Sequence, residues 1–244
     1  MSTLFQRALL GLLAVSAGGA GAADVRCEAS RGTQAPAIVE LYTSEGCSSC
    51  PPADRWLSGL KGQDDVVALS FHVNYWNHLG WRDPFATAAT TERQYRLRDT
   101  LGGRTVYTPQ VVLNGRDDRD WYRQKSNELP RLGGQAPAIR LTREGDDLIA
   151  RVERKGDAPG RLAGYWALLQ DGVSSRVTAG ENAGEQLHHD HVVVHYQPVA
   201  AWSGSDAHTE RWYLPLKIAH RVAFVVTDTS LTRPVQAVVM RCPG

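Results

Sequence analysis

Residues 38–54 read IVELYTSEGCSSCPPAD, and the rest of the chain is interpreted outward from this segment. The short apolar run with β-branched residues predicts a buried strand, and TSEG predicts the turn that ends it. A helix is expected over residues 51–60, because proline is tolerated in the first turn of a helix. Cys47 and Cys50 therefore stand at or just before a helix N-terminus.

The order strand, turn, CxxC, helix is typical of thiol–disulfide exchange. Unpaired backbone N–H groups and the positive end of a helix dipole favour the thiolate over the thiol. We predict Cys47 to be the nucleophile. Cys50, one turn further along, is predicted to close or resolve a disulfide with it.

Other interpretations of the CxxC pair were weighed. The sequence has no second CxxC and no CxxC followed by HxxxH, so a zinc site is disfavoured. A haem attachment motif would need His where Pro51 stands. Two alternatives stay open: a structural disulfide that never exchanges, and Cu(I) handling by the two thiolates with a histidine.

The N-terminal residues predict export. Arg7 supplies a positive charge, residues 8–15 (ALLGLLAV) are apolar, and residues 20–22 (AGA) match a signal-peptidase site. We expect a signal peptide over residues 1–23, because the apolar run is far shorter than the roughly 20 residues of a spanning helix. The protein is thus expected to be periplasmic or extracellular, with no membrane span after cleavage.

The chain has four cysteines. In an oxidising compartment they are expected to pair. With Cys47 joined to Cys50, the remaining Cys27 and Cys242 are predicted to form a structural disulfide that ties the two ends of the mature chain together.

The charge balance gives no indication of a nucleic-acid partner. Lys and Arg number 27 against 26 Asp and Glu, and 42% of the residues are hydrophobic, as in ordinary globular proteins. No cofactor is expected. A chain of 244 residues is long enough for two modest domains or one large domain.

After the first helix, the sequence predicts strands alternating with helices up to about residue 134, and only strands beyond it. GGQAP at residues 133–137 reads as a linker, and short strand-like runs beyond it predict an antiparallel sandwich or barrel. The earlier predicted elements are a strand over 66–73, an aromatic loop over 74–85, a helix over 87–100, a strand and Asn-Gly hairpin over 105–116, and a closing helix over 119–128.

These motifs resemble those of the exported thioredoxin-like proteins of the domain-of-unknown-function 1223 family. The resemblance rests on LYTSEGCSSCPPA (41–53), FHVNYW (71–76), LGWRDPF (79–85), YTPQ (107–110) and GENAG (180–184). It implies an α/β thioredoxin-like domain with a helical insertion over residues 24–134, followed by an all-β, sandwich-like domain over residues 135–244.

The resemblance also implies the site. Cys47 and Cys50 would be the redox pair, and Thr108-Pro109 a cis-proline segment facing them, whose exposed backbone pairs with an extended substrate. Trp76 and Trp81 are expected to line a groove beside Cys47. The expected activity is an exported thiol–disulfide oxidoreductase acting on protein or small-molecule thiols and disulfides; the alternative is a secreted binding protein without catalysis.

Glu40 matches the thioredoxin strand that carries a buried acidic residue beneath the cysteines. Our hypothesis is that Glu40 accepts the Cys50 proton through water, with its pKa raised by burial.

A histidine-rich segment, LHHDHVVVH at residues 187–195, was weighed as a metal site. On one strand His189, His191 and His195 would share a face. We favour a polar strand end over a metal site, and no metal ligands are predicted.

Overall fold

The computed structural model describes residues 27–154, 160–215 and 221–242. The expected signal peptide lies outside the described residues. None of the described helices is long and apolar enough to cross a bilayer. The helices are α1 (Pro51–Ser58), α2 (Ala88–Thr100) and 3₁₀ turns at Tyr75–Leu79, Trp121–Arg123 and Ser126–Glu128. The strands are β1 (Cys27–Arg31), β2 (Ala37–Thr43), β3 (Val66–His72), β4 (Gln110–Leu113), β5 (Arg116–Asp117), β6 (Ala138–Glu144), β7 (Asp147–Glu153), β8 (Arg161–Gln170), β9 (Val173–Arg176), β10 (Gln186–His189), β11 (Val192–Ser203), β12 (His208–Tyr213), β13 (Arg221–Thr227) and β14 (Pro234–Arg241).

The protein is a mixed α/β structure built on an eight-stranded central sheet with the order β14-β13-β8-β11-β3-β2-β4-β5. β2 and β3 run parallel along their whole length, and β11 joins β3 in parallel where Val192 pairs with Ser70. The other neighbours are antiparallel. Strands from both sides of the boundary expected near residue 134 therefore take part in one sheet.

A second, antiparallel sheet has the order β1-β6-β7-β12. Its inner side chains, including Leu141 and Ala150, pack with Trp166, Phe224 and Met240 of the central sheet. The second sheet, which includes the N-terminal strand β1, thus packs against the central sheet. The Cys27–Cys242 disulfide joins β1 to the residue after β14, with the two Cα atoms 5.5 Å apart.

The helices α1 and α2 cover opposite faces of β2 and β3. Val39 and Leu41 pack with Leu57 of α1, whereas Ile38 and Tyr42 pack in the cluster that includes Leu97 of α2. Alternation of side chains along a strand explains this division. Both faces are covered, which accounts for the nearly continuous apolar runs of these strands.

The hairpin predicted at Asn114-Gly115 is confirmed, with φ values of 52° and 77° that a type I′ turn needs. The closing helix predicted over residues 119–128 is wrong. Two 3₁₀ turns occupy this segment, separated by the extended residue Gln124. The Asp118 carboxylate accepts a hydrogen bond from the Asp120 N–H at 3.1 Å, a local bond that competes with helix formation.

A buried ion pair fixes α2 to the sheet. Arg93 on α2 donates to Glu40 on β2 at 2.5 Å, and the hydroxyls of Tyr165 and Tyr42 donate to the same carboxylate at 2.8 and 3.0 Å. Arg93 also donates to the Leu231 carbonyl oxygen at 2.7 Å. Burial raises the pKa of both tyrosines, so they remain neutral donors.

Replacing Glu40 with Gln is expected to lower the free energy of unfolding by about 3–5 kcal/mol, because Arg93 is then buried without a countercharge. Urea unfolding followed by fluorescence measures the free energy of unfolding of the variant and of the wild type. The matched control is Glu128→Gln, which removes an exposed pair with Lys125 and is expected to cost less than about 1 kcal/mol. Equal effects of the two variants would contradict the role of the pair.

Candidate functional site

The Cys47–Cys50 disulfide lies where β2 passes into α1. Cys47 closes a turn by donating its N–H to the Ser44 carbonyl at 3.1 Å, and Cys50 is the N-cap of α1. Pro51 and Pro52 occupy the first helical positions, where their missing N–H groups cost no helical bond. The two cysteine side chains are joined in a disulfide and have no exposed surface.

Residues 180–184, here called the cover loop, are tied to the CxxC turn. The Asn182 amide donates to the carbonyl oxygens of Glu45 and Cys47 at 2.9 and 3.0 Å. The Glu181 carboxylate accepts from the Ser48 N–H and hydroxyl at 2.9 and 2.8 Å, and these bonds lower the pKa of Glu181. The cover loop therefore fixes the backbone of the CxxC turn.

Pro109 follows a cis peptide bond after Thr108 and enters β4. Gln110, the first residue of β4, pairs with Tyr42 near the end of β2 that leads to the cysteines. Trp76 donates from its indole to the Thr108 hydroxyl at 2.7 Å. A side chain on Gly46 would come within 3.0 Å of the Trp76 Cβ, so Trp76 lies between the CxxC turn and the cis-proline segment.

A cluster of five buried titratable residues lies beside the CxxC turn: Glu45, Asp54, His72, Asp83 and His189, here called the acid–base cluster. Asp83 accepts from the Glu45 N–H at 2.9 Å and contacts His72 Nδ1 at 2.7 Å. The Glu45 carboxylate contacts His189 Nε2 at 3.2 Å. The rings of His72 and His189 meet edge to face, with centroids 4.8 Å apart.

The charges in this cluster are set by competition between burial and pairing. Burial opposes ionisation of both His72 and Asp83, but their mutual attraction prevails, raising the pKa of His72 and lowering that of Asp83. Burial raises the pKa of Asp54, whose carboxylate lies 3.9 Å from His189 Nδ1. Asp54 is thus a carboxyl group disposed to hold a proton, one helical turn beyond Cys50.

The sequence-predicted residues divide into two groups. The first group lies where β2 ends and β4 begins, and consists of Cys47, Cys50, Thr108, Pro109 and Trp76. Trp81 joins them through its indole, which donates to the Glu45 carboxylate at 2.8 Å.

Glu40 is not part of this group, and the structure does not support its role as acceptor of the Cys50 proton. It shares the face of β2 that Tyr42 and α2 occupy, opposite to α1. Its oxygens accept hydrogen bonds from Arg93, Tyr165 and Tyr42. The buried titratable residue of α1, on the side of the cysteines, is Asp54, and His189 lies next to it. The spacing of Asp54, four residues after Cys50, was the available signal.

Residues 187–195 do not form the single strand on which His189, His191 and His195 would share a face. β10 ends at His189, His191 has a φ of 59° between strands, and β11 begins at Val192. His189 is buried against Glu45, whereas His195 is exposed. In the described part of the chain, no three His, Cys, Asp or Glu residues are arranged to hold a metal ion.

Comparison with known proteins matches residues 38–227 to a family model described as "Protein of unknown function (DUF1223)". No curated protein matches the chain significantly. The crystal structure of protein AGR_C_4864 from Agrobacterium tumefaciens is similar over 84% of this chain and 93% of its own, with 30% identity and a TM-score of 0.63. HBP35 of Porphyromonas gingivalis shares the fold over 86% of this chain and 76% of its own, with 16% identity and a TM-score of 0.56.

Asp83→Asn is expected to destabilise the protein in a pH-dependent way. The lowered pKa of Asp83 stabilises the fold above its ordinary pKa of about 4, and this stabilisation is lost as the pH falls through the lowered value. The raised pKa of His72 stabilises it below about pH 6.5, and this is lost as the pH rises through the raised value. The loss should therefore be greatest between about pH 4 and 6.5 and reach about 3–5 kcal/mol.

Urea unfolding of the wild type and of Asp83→Asn, at pH values below, within and above this range, measures the difference in the free energy of unfolding. Asp99→Asn is the control, because that carboxylate is exposed and paired with Arg98 at the surface. A loss in Asp83→Asn that stays constant with pH would show that the His72–Asp83 pair is not charged.

Proposed function

The chain belongs to the DUF1223 family of proteins of unknown function, and we propose that it is an exported thiol–disulfide oxidoreductase whose redox pair is Cys47 and Cys50. The observation that carries the proposal is the disulfide at the N-terminus of α1, beside a cis-proline segment. The proposal includes a thioredoxin-like arrangement of the CxxC pair, α1 and the cis-proline segment. Export is proposed from the pattern of residues 1–23.

The environment of Cys47 favours its thiolate. The dipole of α1 points its positive end at the CxxC turn, although Pro51 and Pro52 donate no N–H. The Ser49 hydroxyl lies 3.4 Å from the Cys47 sulfur and is able to donate to it. In the proposed exchange, these groups stabilise the Cys47 thiolate, which makes Cys47 a better leaving group.

In the proposed exchange, a substrate thiolate attacks the Cys47 sulfur. The Cys47–Cys50 bond breaks, a mixed disulfide forms at Cys47, and Cys50 leaves as a thiolate. A second substrate thiolate then attacks the substrate sulfur of the mixed disulfide and releases Cys47. The substrate loses two electrons and becomes a disulfide, the cysteine pair gains them, and the reverse sequence reduces a substrate disulfide.

The acid–base cluster supplies a proton for the Cys50 thiolate. Asp54 lies one helical turn after Cys50, and its N–H donates to the Cys50 carbonyl oxygen at 3.2 Å. Its raised pKa makes the protonated carboxyl accessible closer to neutral pH. His189 lies between Asp54 and Glu45 and is the neighbouring group through which a proton returns to Asp54.

Burial of the pair favours a second candidate function. Neither cysteine side chain has exposed surface, so a partner reaches Cys47 only after the covering residues move. A disulfide that stays closed would be a structural bond in a secreted binding protein. The two candidates therefore differ in whether the pair is reduced reversibly in the folded protein.

The redox equilibrium of the purified protein against glutathione separates these candidates. Alkylation followed by mass spectrometry measures the reduced fraction of each cysteine. We expect one reversible two-electron transition of Cys47 and Cys50, within the range of about −120 to −270 mV that exchange proteins occupy, while Cys27 and Cys242 stay bonded. Cys47→Ser is the control. A pair that remains oxidised over the whole range would support the structural disulfide instead.

Asn182→Ala is expected to accelerate reduction of the Cys47–Cys50 disulfide by about thirtyfold, because the cover loop loses two hydrogen bonds worth about 1 kcal/mol each. The rate is measured by stopped alkylation in dithiothreitol. Asn127→Ala, at an exposed position in the second 3₁₀ turn of residues 119–128, is the control. Equal rates in all three proteins would show that the cover loop does not limit access.

A further inference from the structure

The two serines between the cysteines have different partners. The Ser49 hydroxyl lies 3.4 Å from the Cys47 sulfur. The Ser48 hydroxyl and backbone N–H instead donate to the Glu181 carboxylate, at 2.8 and 2.9 Å. Both donors of Ser48, the residue that directly follows Cys47, are therefore directed at Glu181 and not at the sulfur.

Glu181 brings a negative charge to the CxxC turn from 133 residues away in the sequence. Its two hydrogen bonds to Ser48 are charge-assisted, and such bonds are stronger than those between neutral groups. They lower the pKa of Glu181, so the carboxylate is ionised at neutral pH. Among the described residues, Glu181 is the only charged side chain that is hydrogen-bonded to residues 47–50.

The other charged groups near the turn belong to the acid–base cluster, whose members are buried. In that cluster Glu45 and Asp54 both lie next to His189, which offsets their negative charge when it is protonated. Glu181 is different because it is exposed and has no cationic partner in the described part of the chain. Its negative charge therefore stays uncompensated by protein cations, next to the residue that follows Cys47.

A carboxylate in this place acts against the dipole of α1. The positive end of the helix favours a thiolate on Cys47, whereas a nearby negative charge disfavours it. The disulfide carries no charge, so the carboxylate destabilises the reduced pair relative to the oxidised pair. A pair whose reduced form is less stable has a more negative reduction potential.

We propose that Glu181 lowers the reduction potential of the Cys47–Cys50 pair, because its charge opposes the Cys47 thiolate. Glu181 acts through its charge and through Ser48, and it is not a catalytic residue. The inference rests on the proposed exchange function, in which Cys47 is a thiolate in the reduced protein. Because water screens an exposed carboxylate, the expected effect on the equilibrium constant for reduction is modest, about threefold.

The thiolate fraction of Cys47 in a Cys50→Ser protein, followed by ultraviolet absorbance as the pH is varied, tests the charge effect without any exchange reaction. Adding Glu181→Gln removes the charge and keeps an oxygen acceptor for Ser48. We expect it to raise the ratio of thiolate to thiol at a fixed pH by about threefold. Glu185→Gln is the matched control, because Glu185 is also exposed, directly after the cover loop, and should leave the ratio unchanged.

Salt separates a charge effect from a structural one. In about 1 M salt the Debye length falls to about 3 Å, so the difference between Glu181→Gln and its parent should shrink. A ratio that is equal in Glu181→Gln, Glu185→Gln and their parent would overturn the inference. A difference that persists unchanged in high salt would also overturn it, since the effect would then come from a changed structure.

The reduction potential of the protein with both cysteines is the second measurement. Against glutathione at about pH 8, Glu181→Gln should shift the equilibrium about threefold toward the reduced pair, which corresponds to a potential about 14 mV more positive. Glu185→Gln should match the wild type. A wild-type pair that never becomes reduced would contradict the proposed function, whereas a reversible pair whose potential is the same in Glu181→Gln would contradict this inference alone.

Discussion

The buried side chain and backbone of Glu45 hold the candidate site together. Its carboxylate accepts from Trp81 and contacts His189, its N–H donates to Asp83, and its carbonyl oxygen accepts from Asn182. The aromatic loop, the cover loop and the end of β10 therefore meet at the residue two positions before Cys47. Because buried polar groups are costly when unpaired, these segments are constrained to one arrangement around the CxxC turn.

The same constraint bears on the proposed exchange and on access to the disulfide. In that proposal the helix N-terminus, the cis-proline segment and the acid–base cluster assist the exchange. The cover loop is hydrogen-bonded to the CxxC turn, Trp76 of the aromatic loop over residues 74–85 lies against Gly46, and the two cysteine side chains are buried. A reaction at Cys47 thus requires a local opening, which is less costly than global unfolding when few bonds are broken.

Local patterns predicted the elements that position the cysteines. The strand over residues 38–43, the helix after Cys50 and the helix over residues 88–100 appear near their expected bounds. Each has a periodicity, a cap or a turn that a short segment encodes by itself. The Asn114-Gly115 hairpin was predictable for the same reason.

Interactions between distant residues were not predictable. Glu40 pairs with Arg93, which is 53 residues away in the sequence. His189 contacts Glu45, from which it is separated by 144 residues. The pairing of β11 with β3 carries the central sheet past the expected domain boundary. No window of sequence contains both partners of these contacts. The positive φ of His191, between β10 and β11, is likewise not encoded by the local pattern.

The most direct test of the account is whether Cys47 exchanges in the folded protein. Cys50→Ser, reduced and then exposed to glutathione disulfide under native conditions, is expected to form a mixed disulfide at Cys47, identified by peptide mass. Cys47→Ser should form the corresponding adduct at Cys50 much more slowly. If Cys50→Ser acquires glutathione only after denaturation, the pair is structural and the proposed function is wrong.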